Sequence, residues 1–470
     1  VQSVALKLIT EREHEIELFN PEEFWTLSVQ FNDNDKNSIL ASITQLNDKK
    51  IEKFSFKNKA EIDKAIEEVK SKKFNINDIS SKVVNRNPSG PFTTSTLQQV
   101  SSGRLGFGAS RTMQIAQKLY QGIEIDGETI GLITYMRTDG TNLSTDAIDT
   151  FRKYIKNEFG DEYVPDNAAS YSGKKAKNAQ EAHEAIRPTD IMRAPGTVKK
   201  YLSPDQHKLY DLIWSRALSS QMKPAQFDRN TITITSDDNE TICKASGSVI
   251  KFDGFLKVMK DTKKDDDEDI LPKMNKGPVN IEALLDEQHF TQPPPRYSEA
   301  SLVKKLEELG IGRPSTYSNI IETIKERGYV VKMDTPGYKI NCNNYTLKNN
   351  EISKKTEEKT FCCEKNKLLI QPIGILALEF LTKYFDKIFS YEYTKNMESK
   401  LDLISNKETK DKISDIITKK KNDVKELIDK LQLGSFTNDT GKPTVDEFET
   451  QVNSILNKAQ EEANKGKHNK

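Results

Sequence analysis

The stretch Gly131–Ser144, with the sequence GLITYMRTDGTNLS, indicates both a fold and a chemistry. Its first residues are mostly apolar, and we expect them to form a short buried strand that runs into Tyr135. Because alternate residues of a strand share a face, Tyr135 and Arg137 would point the same way. A guanidinium beside a phenol favours the phenolate and can hold a phosphate, so the pair suits attack on a phosphodiester. The alternative is a core tyrosine beside a salt-bridged arginine, since Tyr-x-Arg is a frequent pattern.

The composition indicates a polar chain of several domains. The chain has 470 residues, and its 71 Lys plus Arg balance 71 Asp plus Glu, which gives a formal net charge of zero. A nucleic-acid partner would therefore require basic residues segregated onto one surface. Hydrophobic residues make up only 35% and charged residues 30% of the chain. We expect an open architecture with much surface rather than one compact core.

The cysteines and the apolar runs exclude several classes. None of Cys243, Cys342, Cys362 and Cys363 forms a C-x-x-C pair, so we expect no zinc site, and the sparse usage fits a reducing cytosol. No apolar run approaches the roughly 18 residues that a membrane helix needs, and the N-terminus shows no signal peptide. We therefore expect a cytoplasmic protein. Because Val1 lies directly inside a helical pattern, we expect the chain to be a piece of a longer one.

Changes of hydrophobic period divide the chain. Residues 22–90 read mainly as strands with one helix, 92–222 as helices and 223–291 as strands again. The helical part would be an insertion, and the strand-rich halves would pair across it. Within it, Ser110 and Ser144 are predicted N-caps, and Ser203–Gln206 is a predicted capping box. The acidic run Asp265–Asp269 reads as a solvated loop.

Beyond Gln292 the pattern is typical of a winged helix. Two helices, from Ser298 and from Ser315 or Thr316, are joined by a tight turn. We expect Tyr329–Lys332 and Tyr338–Cys342 to follow as a hairpin. Further helices are predicted near residues 373–381 and 391–404, then a Lys-rich, weakly amphipathic segment from Lys407 whose last residues look disordered.

Three further clusters could carry chemistry. His183, with Glu181, Glu184 and Arg187 around it, could donate to a phosphate or to the tyrosine hydroxyl, or could be a surface histidine. The glutamates are better explained as solvated or supporting groups.

The second cluster, Arg313, Ser315, Thr316 and Arg327, could form a phosphate cradle at a helix N-terminus, or could provide only capping and surface charge. The third, Ser101–Gly108, is rich in glycine but matches neither a P-loop nor a dinucleotide fingerprint. We interpret it as a close-packed turn that carries Arg104.

These residues together resemble the bacterial type IA DNA topoisomerases. The resemblance runs from Val1 to about Ile404 in family order. The stretches that carry it are Val1–Ala5, Pro91–Gln99, Gly131–Ser144, Gln180–Pro188 (QEAHEAIRP) and Pro295–Val330.

The resemblance implies an α+β multidomain fold, a torus in which a strand-rich arch joins two helical, catabolite-activator-like domains. The implied division is residues 1–30 (first part of the single-strand-binding domain), 31–91 (first half of the arch), 92–222 (the tyrosine domain), 223–291 (second half of the arch) and 292–470 (winged-helix-like single-strand-binding domain with a Lys-rich tail).

The resemblance also implies roles for individual residues. Tyr135 would attack the phosphodiester and keep the 5′ phosphate, Arg137 would position that phosphate, and His183 would hydrogen-bond near it. The residues implied to bind DNA are Gln2, Arg104, Arg313, Ser315, Thr316 and Arg327. Gly140 stands where the family usually has Ser, so any hydroxyl contact there is lost.

The implied activity is ATP-independent relaxation of negatively supercoiled DNA by a monomer associated with the nucleoid. The implied cofactor is Mg²⁺, with no nucleotide and no zinc. Its ligands are expected in a toprim domain that precedes a sequence like this one in the family, so we expect the chain alone to bind single-stranded DNA without relaxing it. The alternative is a non-catalytic winged-helix DNA-binding protein. A tyrosine recombinase is disfavoured, because its tyrosine would lie near the C-terminus.

Overall fold

The structure is a computed structural model that describes residues 1–171, 184–259 and 270–405, with only the backbone described for 402–405. Our interpretations of His183, Glu181, the acidic run and the Lys-rich segment concern residues outside these ranges. No helix in the described ranges is both long and apolar enough to cross a membrane.

Most helices follow an apolar period of 3.6, and five of those described begin at a residue whose side chain caps the helix. The described α-helices are α1 (Gln2–Glu17), α2 (Lys59–Lys70), α3 (Thr94–Leu105), α4 (Ala109–Gln121), α5 (Thr145–Phe159), α6 (Pro195–Val198), α7 (Pro204–Ser219), α8 (Glu299–Glu308), α9 (Tyr317–Glu326), α10 (Pro372–Phe385) and α11 (Tyr391–Ser405). The predicted caps of α5 and α7 are confirmed, because Ser144 accepts from the Ala147 N–H and Ser203 forms a capping box with Gln206. The predicted N-cap Ser110 is wrong: Gly108 holds that position, and α4 begins at Ala109.

Strands form where the period is two. They are β1 (Glu23–Asn32), β2 (Ser38–Leu46), β3 (Lys49–Lys50), β4 (Phe74–Arg86), β5 (Ile123–Ile125), β6 (Glu128–Ile130), β7 (Ala225–Ser236), β8 (Ile242–Phe252), β9 (Gly277–Phe290), β10 (Val330–Thr335), β11 (Tyr338–Lys348), β12 (Glu351–Phe361) and β13 (Glu364–Ile370). The α+β class predicted from the sequence is confirmed.

One antiparallel sheet organises the molecule. Its order is β1-β2-β8-β7-β4-β9-β11-β12. Because β1 also pairs with β9, the six strands β1, β2, β8, β7, β4 and β9 form a closed circuit. The predicted pairing of the two strand-rich segments is confirmed. Arg86 at the end of β4 pairs with Ala225 at the start of β7, so the chain leaves for the helical insertion and returns at the same point.

The residues that the structure describes form three hydrophobic cores. The first lies within the helical insertion and includes Phe92, Ile133 and Tyr210. The second is formed by residues of the large sheet together with residues of α2. The third packs α1 against the helices that follow Gln292 and includes Leu8, Leu302 and Ile320.

The predicted hairpin after Gly328 is wrong. β10 pairs with β13, whereas β11 pairs with β12 and with β9 of the large sheet. The two predicted strands exist, but each finds a distant partner. Strand periodicity indicates which face is buried and leaves the choice of neighbour to tertiary packing.

Candidate active site

Tyr135 lies on an irregular segment, with bends at Thr134 and Met136, between two other stretches of chain. The predicted strand is wrong, because the only regular pairing here is an isolated bridge between Ile133 and Pro188. Thr134 exchanges two hydrogen bonds with Arg187: its N–H donates to the Arg187 carbonyl at 2.9 Å, and its Oγ1 accepts from the Arg187 N–H at 3.0 Å. On this side the segment is held by two hydrogen bonds to the Arg187 backbone, and these do not continue into a β-ladder.

Thr94, at the start of α3, holds the other side of the segment. Its Oγ1 donates to the Met136 carbonyl at 2.7 Å and accepts from the Thr138 N–H at 2.8 Å. Its own N–H donates to the Thr138 carbonyl at 2.9 Å. Thr94 is fully buried, so one side chain fixes the backbone on both sides of Arg137. Thr94 lies within the stretch Pro91–Gln99, and no local feature of the sequence indicated that it holds the Tyr135 segment.

The alternation predicted for a strand persists in the exposure of the side chains. Met136 and Thr138 are buried, whereas Tyr135 is 44% exposed and Arg137 is exposed. The alternative of a core tyrosine is therefore excluded. The ring of Tyr120 meets the Tyr135 ring edge-on, with centroids 5.3 Å apart. Arg137 makes no hydrogen bond or ion pair with the residues that the structure describes, so its guanidinium is available to a ligand.

Glu184 and Arg187 form an ion pair next to the segment that carries Tyr135. Glu184 accepts two hydrogen bonds from the Arg187 guanidinium, at 2.7 and 2.9 Å, and a third from the Ser144 N–H at 2.7 Å. Partial burial opposes ionisation of Glu184, but Arg187 and Ser144 outweigh it and lower the pKa of that carboxyl. The interpretation of Glu184 as a supporting group is consistent with these contacts. His183 lies outside the described residues.

The tyrosine-bearing insertion also contacts the third core directly. Ser95 on α3 donates to Glu307 on α8 at 2.6 Å. At the other end of α8, the buried Glu299 accepts from the Ala109 N–H at 2.8 Å and pairs with Lys325 at 3.2 Å. This carboxylate therefore caps the N-terminus of α4 from another core.

The residues predicted to bind DNA divide into two groups. Arg313 already has protein partners, because its guanidinium donates to the Glu398 carboxylate and to the Gly312 carbonyl, each at 2.7 Å. Thr316 bonds locally with the Arg313 backbone. To bind a phosphate, Arg313 would have to give up its hydrogen bond with Glu398. The Ser315 side chain is exposed to solvent.

Gln2 and Arg327 line one cleft of about 180 Å³ between α1, α9 and α10. Its floor is apolar and includes Leu6, Ile324 and Phe380. Arg327 is exposed and makes no ion pair with the described residues. The cleft therefore offers a cation beside an apolar surface. Arg104 is exposed in the last turn of α3.

No group of three or more His, Cys, Asp or Glu side chains within the described ranges could hold a metal ion.

Comparisons with known proteins relate this chain to DNA topoisomerases. A sequence model of the DNA topoisomerase family matches residues 1–339. DNA topoisomerase 1 of Rickettsia felis is 44% identical over 409 residues, which cover 86% of this chain and 49% of the relative. The Haemophilus influenzae DNA topoisomerase 1 is 41% identical over 406 residues, covering 86% of this chain and 41% of the relative.

A solved structure is similar as well. The full-length topoisomerase I of Thermotoga maritima superimposes with a TM-score of 0.65 at 34% identity, over 85% of this chain and 58% of that chain. The chain spans about half the length of the curated relatives it matches. With a family match over most of its length, the chain belongs to the type IA DNA topoisomerase family.

Proposed function

We propose that this chain is the core of an enzyme that cleaves one DNA strand through Tyr135, allows strand passage and reseals the break. The phenolic oxygen of Tyr135 attacks the phosphorus and forms an ester with the 5′ phosphate. The departing 3′ oxygen gains a proton as the phenol loses one. Because the ester retains the bond energy, attack by the 3′ hydroxyl reverses the step without a nucleotide cofactor.

The observation that carries this proposal is the exposure of both Tyr135 and Arg137 on a segment whose backbone is held on both flanks. Thr94 and Arg187 hold the backbone, so the two side chains are positioned before DNA binds. The Arg137 guanidinium, which contacts no partner among the described residues, suits a phosphate, whose charge grows in the transition state. His183 is proposed to hydrogen-bond near the same phosphate.

The proposed DNA path continues over the third core. Arg327 and Gln2 would contact the backbone of a single strand, and the apolar floor of their cleft suits an unstacked base. Arg104, Arg313, Ser315 and Thr316 are proposed as further phosphate contacts. We propose that a toprim domain supplies the Mg²⁺ ligands and that the chain alone binds single-stranded DNA without relaxing supercoils.

We also propose that the chain is divided into the five parts that the resemblance implies, that it is a monomer and that it associates with the nucleoid. Each follows from the family resemblance and from DNA as substrate.

The decisive experiment joins the chain to the toprim domain of a relative and supplies Mg²⁺ and a single-stranded oligonucleotide labelled at its 3′ end. We expect a labelled protein adduct that survives denaturation, because a 5′ phosphotyrosine retains the downstream fragment. Tyr135→Phe should abolish the adduct and leave DNA binding and the melting temperature unchanged. The matched control is Tyr120→Phe, whose ring is similarly exposed (40%) and touches that of Tyr135. An adduct that persists in Tyr135→Phe would sink the assignment.

The second candidate function is a non-catalytic winged-helix DNA-binding protein, favoured by the succession of α8, α9 and β10. Reading a duplex would require basic side chains along α9. Lys325 on α9 is paired with the buried Glu299, and Arg327 follows the helix end. Binding that strongly prefers duplex over single-stranded DNA would favour this candidate.

A further inference from the structure

Two adjacent thiols lie at the turn between β12 and β13, outside the candidate active site. Cys363 is exposed and Cys362 partly exposed, whereas Cys243 and Cys342 are buried. The turn is well fixed: Cys362 has a left-handed φ of 54°, and Thr335 Oγ1 donates to its carbonyl at 3.1 Å. A residue other than Gly rarely adopts such a φ without a constraint. The backbone that carries the two thiols is therefore held in a defined conformation.

Both thiols line an open cleft of about 470 Å³, formed by the end of α1, the connection 292–296 and the β12–β13 turn. Pockets of about 300–1,000 Å³ accept ligands of drug or small-peptide size. The cleft is thus large enough for a small molecule attached to one of the sulfurs.

The charge at the cleft favours an anion. Three basic residues line it, but Arg296 is paired with Glu13 and Glu364, and Lys367 donates to the Arg296 carbonyl. Lys365 is exposed and has no ion pair with the described residues. It lies two residues beyond Cys363, where extended chain directs side chains to the same side. An anionic group that reached Cys363 would therefore meet the ammonium of Lys365.

The environments of the two thiols differ. Partial burial, followed by the interaction with Cys362, raises the pKa of the Tyr338 hydroxyl, so the Cys362 side chain lies close to this hydroxyl. Cys363 is the thiol open to solvent.

We propose that Cys363 is a site of S-thiolation by small anionic disulfides, the class to which glutathione disulfide belongs. The thiol first loses its proton to solvent. Its thiolate then attacks one sulfur of the disulfide, the S–S bond of the reagent breaks, and a mixed disulfide forms with Cys363 while the second half leaves as a thiolate. The disulfide is itself the oxidant, so the step needs no other reagent.

The adduct would occupy the space between α1 and the β12–β13 turn. These elements join the large sheet to the third core. S-thiolation would thus couple the thiol redox state to this junction.

The first test exposes the full chain to glutathione disulfide, stops the reaction with acid and maps the adducts by peptide mass spectrometry. We expect Cys363 to react at least about tenfold faster than Cys243 and Cys342, which serve as internal controls because they are buried. Cys363→Ser should remove the fast adduct and Cys362→Ser should retain it. The proposal is overturned if folded protein gives no Cys363 adduct while the unfolded chain does, or if Cys362 carries the fast adduct.

The second test examines the charge. Lys365→Gln should slow the reaction with glutathione disulfide about threefold, as expected for the loss of one charge a few ångströms away in water. The reaction with the neutral bis(2-hydroxyethyl) disulfide should not change. Lys354→Gln, on β12 outside the cleft lining, is the matched control. No effect of Lys365→Gln, or equal slowing of both disulfides, would overturn the preference for anions.

Discussion

At the scale of single residues, the side chains that position Tyr135 differ from those that would do chemistry. Tyr135 and Arg137 are exposed, and neither fixes its own backbone. The buried Thr94 does so for the residues beside Arg137, using both the donor and the acceptor capacity of one hydroxyl. Thr94 is thus a positioning residue.

Thr94→Val tests this role, since it keeps the shape and removes the hydroxyl. We expect the free energy of unfolding to fall by about 1–3 kcal/mol, because the buried Thr138 N–H loses its acceptor. In protein complemented with a toprim domain, the rate of adduct formation should fall while the affinity for single-stranded DNA is retained. Denaturant unfolding and adduct kinetics measure the two effects.

Two variants make the result specific. Thr94→Ser should restore most of the rate, because it keeps the hydroxyl. Thr150→Val, at an exposed threonine of α5, should change stability by less than about 0.5 kcal/mol. A Thr94→Val protein with an unchanged cleavage rate would contradict the positioning role.

At the scale of elements, turns decide which strands meet. Gly337 joins β10 to β11 with φ at 70°, and a Cβ there would lie 2.1 Å from the Phe361 carbonyl. This close approach brings the end of β12 against the turn, while β10 leaves to pair with β13. The hairpin expected from Tyr329–Lys332 and Tyr338–Cys342 requires a turn here, but the sequence could not specify that the two strands have different partners.

Gly337→Ala and Gly103→Ala should have opposite effects. At Gly337 the left-handed φ and the backbone clash together should lower the free energy of unfolding by at least about 2 kcal/mol. Gly103 lies inside α3, and a Cβ there would meet nothing within 4 Å. Its replacement by Ala should raise the free energy of unfolding by about 0.5–1 kcal/mol. Denaturant titration of both variants measures this, and destabilisation by Gly103→Ala would contradict the open environment of α3.

At the scale of the whole molecule, a buried carboxylate links the tyrosine-bearing insertion to the third core. Glu299 is 4% exposed, caps α4 across the interface and pairs with Lys325. Burial opposes its ionisation, but the Ala109 N–H and the ammonium groups of Lys325 and Lys332 outweigh it, so the pKa of Glu299 is lowered. Ala109 itself belongs to the third core, so the two units share both an apolar contact and a charged one.

The stability contribution of Glu299 should depend on pH. A carboxyl whose pKa is lower in the folded state stabilises above its unfolded pKa of about 4.3, and this stabilisation is lost as the pH falls through the folded pKa. Glu299→Gln should therefore reduce the free energy of unfolding by about 1–3 kcal/mol at pH 7. The difference from the unmodified protein should shrink towards acid pH.

Unfolding by urea between pH 3 and 8 measures this dependence. The control is Glu308→Gln on the same helix, whose carboxylate is exposed and contacts Lys305 at 3.9 Å. A penalty for Glu299→Gln that does not change with pH would contradict the charged cap.

The sequence by itself determined most of the helices and strands and the exposure of Tyr135 and Arg137. These depend on local periodicity and capping, which neighbouring residues carry. Only the tertiary structure decided that Tyr135 lies on an irregular segment instead of a strand, because the hydrogen bonds of this segment go to Thr94 and Arg187, which are distant in sequence. Likewise, the pairing of Arg313 with Glu398 and the shared cleft of Gln2 and Arg327 depend on helices that pack together only in the folded chain.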